Sequence, residues 1–400
     1  MMMASNENSR DLHFGSVVVD GHQEILDEYV YNFILSEDEA IQGKRHVFDE
    51  VYLPVLKAQG VKFVGLSVGG DHVAQVMYSA SENRFWDTHK KLDALQAESE
   101  AGCSSFLLCR SRADLDEVLA SDKIGIIAGI NGGRPLEGKK NLNLLSSLRS
   151  LYRAGLRSIQ LTGNGRNRLG DGVAQERSRG RLTNFGVEVV KEAGRLGLLI
   201  DTAQLSDPGF YDLLELTDRP LIDSHSCARA VCDHPRNITD DRIRAIARCG
   251  GVVGLSFLSA LVGDGTGRSD VETPGSCGTD QLIRHIDHLV EVAGIDHVGL
   301  GPDYCAYKTP VNREVVKGYG NRGPAFCGFD RLTPMQSEKY PGWVEGIFYG
   351  IRESDYISGP DTHETFSLVT QALQENGYRK DDIAKILGEN FLRVYRETLG

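Results

Sequence analysis

The chain has 400 residues, 40% hydrophobic and 25% charged, which excludes the disordered and fibrous classes and allows a large buried core. A formal charge of −12 and a pI near 5.4 argue against a nucleic-acid backbone or an anionic membrane as the main partner, because both need a concentrated basic surface. Residues 1–10 are polar and lack the apolar run of about 7–15 residues of a secretory signal, and no stretch of about 18 apolar residues follows, so a cytoplasmic protein acting on a small molecule is expected.

Short β-rich runs alternate with segments of helical period, the pattern of parallel strands joined by crossover helices. In chain order the spacing predicts strands at 17–19, 62–67, 124–128, 158–161, 198–200, 220–222, 252–255 and 297–300. Gly60, Gly155 and Gly197 each stand where a helix must end before the next strand, the place for a left-handed cap. Leu142, Leu145, Leu148 and Leu151 line one helical face, and Leu282, Ile283, Ile286, Leu289 and Val290 line another. Thr183 is expected to cap the helix through Val187 and Val190, and Asp240 the helix holding Ile243 and Ile246. Residues 304–359 lack a clean period and read as a long excursion after the last strand. Ile383, Leu387, Phe391, Val394 and Tyr395 then predict closing helices.

Eight strand–helix units without a Pro-, Gly- or Ser-rich linker predict one closed (β/α)₈ TIM barrel over residues 1–400 rather than an open doubly wound sheet. Eight cysteines, at 103, 109, 227, 232, 249, 277, 305 and 327, form no Cys-x-x-Cys pair and are expected to be free thiols.

In such a barrel the loops after the carboxyl ends of the strands meet at one mouth. The first strand is followed by Asp20-Gly21-His22-Gln23-Glu24, where His22 and Glu24, two apart in an extended segment, point to one side and can chelate an ion together. Asp71 and His72 follow the second strand, and since neighbours face opposite ways, His72 is the one expected inward. Asn131 and Arg134 follow the third, Thr162 and Asn164 the fourth, Gln204 the fifth, His225 the sixth and Asp303 the eighth. A lone histidine at a strand end is usually structural. The convergence of His22, Glu24, His225 and Asp303 instead predicts a metal site suited to zinc, manganese or iron.

Five tracts carry a resemblance. Leu182-Thr183-Asn184-Phe185-Gly186, the run from Arg195 to Asp201, the run from Asp218 through Asp223-Ser224-His225-Ser226 to Arg229, Cys232-Asp233-His234-Pro235-Arg236-Asn237 and Asn390-Phe391-Leu392-Arg393-Val394-Tyr395 together resemble the membrane (renal) dipeptidases. The likeness covers roughly 17–303 and 360–398, in the same order of barrel units. It implies a barrel of the metal-dependent hydrolase type that carries two zinc ions and cleaves dipeptides and related amides. Position by position, it implies that His22 is the first-metal histidine, His225 a ligand of the second metal, Asp303 an acid near the first that moves protons, and Arg236 the partner of the substrate carboxylate. Glu24 stands where an Asp is usual. Asn131 replaces the carboxylate that bridges the two metals, Gln204 replaces a histidine ligand, and Gly163 and Arg134 stand where the family has histidines.

A neutral amide at Asn131 cannot offset the repulsion of two dications, and an amide at Gln204 is a poorer ligand than imidazole. The expectation is therefore one divalent metal, zinc, held by His22, Glu24, His225 and Asp303, with the second site weak or absent. The expected reaction is hydrolysis of the amide bond of a small carboxylated, dipeptide-like substrate, with Asp303, His225 and His22 as catalytic residues and Asp303 moving protons. Arg236, Arg134, Asn131, Gln204 and His72 are expected to line the substrate. Two alternatives stand beside this one: a repurposed enzyme that performs an elimination, isomerisation or cyclisation on an amino-acid-like molecule, and an inert binding protein. A homodimer is expected, as for most soluble enzymes.

Overall fold

A computed structural model describes residues 9–24, 46, 48–71, 84–101, 104–137, 144–175, 178, 180–263, 278–303 and 365–399. Its centre is a parallel sheet of nine strands: β1 (Val18–Gln23), β2 (Val61–Gly70), β3 (Phe106–Leu108), β4 (Ile124–Asn131), β5 (Ser158–Gln160), β6 (Leu199–Asp201), β7 (Leu221–Ser226), β8 (Val252–Leu255) and β9 (Val298–Leu300). The order β1-β2-β4-β5-β6-β7-β8-β9 runs through eight of them, and β3 pairs with the early part of β4. β9 returns to β1, where the Asp303 N–H donates to the His22 carbonyl at 3.3 Å. With helices packed outside, this is a (β/α)₈ barrel.

The eight strands of that path correspond to those read from the sequence. The expected total of eight is corrected to nine, because three residues of β3 lie beside β4 below the point where β5 joins it. β1, β2, β4 and β7 extend further at their carboxyl ends than the apolar runs suggest, so His22, Asn131 and His225 stand within strands. Polar side chains at a barrel mouth need not interrupt a ladder, because only the backbone makes it.

Helix ends follow local chemistry. Gly60, Gly155 and Gly197 all have positive φ, at 70°, 117° and 77°. The Thr183 side chain caps Asn184–Leu196 by accepting the Gly186 N–H at 3.0 Å. The cap of Asp240–Arg248 is Thr239, which accepts the Arg242 N–H at 3.4 Å. Asp240 is the first helical residue, where its charge still favours the helix N-terminus.

Phe391, from the closing helix Asn390–Thr398, is fully buried at the barrel axis. Three glycines make room for it: a Cβ on Gly21, Gly254 or Gly299 would lie 2.6, 3.0 or 2.5 Å from its ring. Gly21 also brings β1 close to β9, since its Cβ would meet the Leu300 carbonyl at 2.9 Å. The glycine between Asp20 and His22 thus serves packing beneath the mouth. Cys109, Cys227, Cys232 and Cys249 are free thiols; the other four cysteines and the 304–359 excursion lie outside the described residues. Among the described residues no helix is long and apolar enough to cross a membrane.

Candidate metal and catalytic site

The carboxyl ends of β1, β4, β6, β7 and β9 bring one polar cluster together. His22 Nε2 lies 3.4 Å from Glu24 Oε1 and 3.9 Å from Asp303 Oδ1. The three side chains are at most a tenth exposed. The His22 ring stacks on that of His225, with centroids 3.8 Å apart and planes 15° from parallel. Two amides close the cluster: Asn131 Nδ2 donates to Glu24 Oε1 and lies 3.4 Å from His22 Nε2, while Gln204 Nε2 lies 3.3 Å from His225 Nε2.

The backbone is shaped around this group. Among the described residues, Gln204 and Asp303 are the non-glycine residues with left-handed φ, 64° and 65°. Such a conformation costs on the order of 1 kcal/mol or more and persists where surrounding contacts impose it.

Burial disfavours the imidazolium form of His22, yet its pKa is raised, because the hydrogen bond to Glu24 and the charges of Asp303, Glu24 and Asp201 outweigh that cost. His22, Glu24 and Asp303 offer ligand atoms within 4.8 Å of one another, a donor set that fits one divalent ion. The positions needed for a second ion offer amides at Asn131 and Gln204, and the Asn131 amide nitrogen faces Glu24. A second group of ligand atoms within 4.8 Å of one another, from His22, Asp201 and His225, adjoins them.

The remaining predicted residues fall around this cluster. Arg236 is buried against the end of β7, its Nη1 donating to Ser226 Oγ and its Nη2 to the His225 carbonyl, both at 2.9 Å. The Arg236 backbone N–H donates to His234 Nδ1 at 3.1 Å. Arg134 stands further out, with its guanidinium on the Arg166 carbonyl at 3.4 Å. Thr162 is buried against the Gln204 carbonyl. His72 lies outside the described residues, and its neighbour Asp71 turns inward. The Asp71 carboxylate accepts from the backbone of Arg134 at 2.9 Å and of Gly163 at 3.0 Å and from Asn167 Nδ2 at 2.8 Å. Burial raises its pKa, while those donors pull it down. Gly132 and Gly163 leave the room it occupies, since a Cβ on either would come within 3.0 Å of Asp71.

Three buried acids at strand ends were not singled out by the sequence reading. Asp20 accepts the His22 N–H at 3.0 Å and Gln23 Nε2 at 2.6 Å, and burial pushes its carboxyl up to about 7. Asp223 pairs with the buried Arg242 at 3.3 Å. Asp201 lies with His22 and His225 in a second group whose ligand atoms are within 4.8 Å of one another. Burial, then the charge of Asp223, raises its pKa. The available signal was strand register: Asp201 pairs with Ile222, two residues before Ser224-His225 on the next strand.

Comparison with known proteins agrees with the fold. Residues 6–320 match the family model described as membrane dipeptidase, peptidase family M19. A Klebsiella pneumoniae protein, described only as uncharacterized and in the region 5′ of pqqA, is 34% identical over 209 residues, 51% of this chain and 73% of its own. Among solved structures, the probable dipeptidase PvdM from Pseudomonas aeruginosa superposes with a TM-score of 0.71 at 18% identity, covering 99% of each chain. A metallopeptidase from Rhodobacter sphaeroides, bound to a phosphinate mimic of the dipeptide L-Ala-D-Ala, gives 0.67 at 21% identity, over 96% of this chain and 99% of its own.

Proposed function

The chain belongs to the membrane dipeptidase family, whose members are metal-dependent peptidases, and on that footing we propose that it is a one-metal hydrolase of the amide bond of a small carboxylated, dipeptide-like substrate. The observation that carries this reading is the placement of Glu24 Oε1 and Asp303 Oδ1 at 3.4 and 3.9 Å from His22 Nε2, all three side chains being largely buried. His22, Glu24 and Asp303 would hold the ion, with His225 Nε2 as a further donor. A zinc-like ion there supplies Lewis acidity and lowers the pKa of water to about 7.

The chain's own groups account for the rest. Asp303, beside His22, takes a proton from the attacking water and returns it to the leaving nitrogen. Its left-handed backbone holds it at the rim of β9 against β1. Arg236 uses two N–H groups on Ser226 and His225, which leaves donors of its guanidinium for a substrate carboxylate. Asn131, Gln204 and Arg134 would complete the lining. The dipeptide mimic on the Rhodobacter sphaeroides relative supports this substrate class. The expected cofactor is one zinc, and the expected assembly a cytoplasmic homodimer.

A second reading is favoured by the amides. Asn131 on Glu24 and Gln204 on His225 occupy what would be second-metal positions, which suits acid–base chemistry without hydrolysis on an amino-acid-like molecule. The two separate on one assay. The first predicts chelator-sensitive cleavage of dipeptides or acyl amino acids, lost by about 10²-fold or more in Asp303→Asn. No cleavage by zinc-loaded protein that nevertheless binds a carboxylated dipeptide would favour the second.

A further inference from the structure

Asp201 meets His225 through Ser224. Ser224 Oγ lies 2.5 Å from Asp201 Oδ2 and 2.7 Å from His225 Nδ1, and all three residues are buried. Asp201 Oδ1 accepts the backbone N–H groups of Ala203 and Ser224, each at 3.0 Å. Three of its roughly four acceptor sites are therefore committed away from the mouth. Although its oxygen lies near His22 and His225, Asp201 is poorly placed to be a ligand itself.

We propose that Asp201 and Ser224 are positioning residues that fix His225 in the tautomer protonated at Nδ1, so that the Nε2 lone pair faces the mouth. A hydroxyl has one hydrogen. Given to the carboxylate of Asp201, it leaves the Ser224 oxygen able only to accept, and the proton it accepts is that of His225 Nδ1. Nε2 is then bare. The opposite end of the ring agrees independently: the Gln204 amide nitrogen at 3.3 Å can only donate, so it requires an acceptor at Nε2. The register of β6 on β7, with Asp201 beside Ile222, brings the carboxylate level with Ser224. A bare Nε2 is the form that binds a metal or accepts a proton. The inference deepens the hydrolase reading and rests on it only for the use made of Nε2.

The test is imidazole ¹⁵N NMR of the metal-free full-length protein, with the His225 signals identified by their loss in His225→Gln. The expected wild-type result is a protonated Nδ1 and an unprotonated Nε2. In Asp201→Asn the new amide donates to Ser224 Oγ, whose hydrogen turns to Nδ1, so the proton should move to Nε2 and Zn²⁺ affinity should fall about 10–100-fold. Ser224→Ala, which keeps the carboxylate, should give a mixture of tautomers, and Ser224→Thr should restore the wild-type form. A wild-type Nε2–H, or one unchanged tautomer in both Asp201→Asn and Ser224→Ala, overturns the proposal. Because the tautomer measurement itself uses neither metal nor substrate, a protein that fails to cleave dipeptides yet gives the expected signals would count against the hydrolase reading alone.

Discussion

The imidazole of His22 lies flat against that of His225, 3.8 Å between centroids, although 203 positions separate them in the chain. β1 and β7 become neighbours across the mouth only when the barrel closes. Two stacked rings cannot both be cations at that spacing without strong repulsion. The carboxylates of Glu24, Asp303 and Asp201 raise the pKa of His22 against the cost of its burial.

Closure depends on the plug beneath these rings. Phe391→Ala should leave a cavity among Gly21, Gly254 and Gly299 and cost about 3–5 kcal/mol in urea unfolding. Trp86→Ala, at a side chain 55% exposed, should change stability by less than about 1 kcal/mol. Equal losses would mean that the axis is not packed as described.

The amides at Asn131 and Gln204 are predicted to be what denies a second ion its place. The double substitution Asn131→Glu with Gln204→His should raise bound zinc toward two ions per chain, read by elemental analysis after dialysis. Asn131→Glu alone should destabilise the metal-free protein, because it sets a carboxylate against Glu24 in place of a donor. Stoichiometry unchanged in the double variant would place the obstacle elsewhere.

His285 predicts a pH dependence of stability. Its Nδ1 accepts the Ala228 N–H at 3.2 Å and its Nε2 donates to the Val262 carbonyl at 3.1 Å, so the neutral ring is the one that fits. Burial lowers its pKa to about 4 from an ordinary 6.5. A depressed folded pKa means that the full contribution is present above about 6.5 and is lost as pH falls through 4, roughly 3 kcal/mol for this shift. Between pH 7 and pH 4 the wild type should therefore lose more stability than His285→Gln by up to that amount. Parallel urea curves at the two pH values would rule this out.

Asp71 ties the loops after β2, β4 and β5. Asp71→Ala should strip the Arg134 and Gly163 N–H groups of their acceptor, at about 1–3 kcal/mol for each buried donor left unpaired. Hydrogen exchange at those two amides should accelerate about tenfold or more, with Phe391-side amides unaffected. Uniform acceleration would indicate global rather than local loosening.

Much of this was legible in the residues. The strands of the barrel path announced themselves as β-rich runs between helical periods, and Gly60 and Gly197 marked helix ends because only glycine accepts those dihedrals cheaply. β3 escaped although Phe106-Leu107-Leu108 is as long as β5, β6 and β9, because it lies off the barrel path, paired with β4 alone. His22, Glu24, His225 and Asp303 could be singled out by their position after strands. Asp201 and Ser224 could not: a strand-end acid and a serine look alike whether they face core, solvent or a histidine, and only register between β6 and β7 decides it. The inward turn of Asp71 likewise depends on the loops that meet there, since Gly132 and Gly163 follow other strands.

Equilibrium metal content of the purified protein tests the central claim most directly. One zinc-class ion per chain is expected, reduced to none in His22→Ala and in the pair Glu24→Gln with Asp303→Asn. Two tightly held ions in the unaltered chain, or one ion that survives loss of His22, would contradict it.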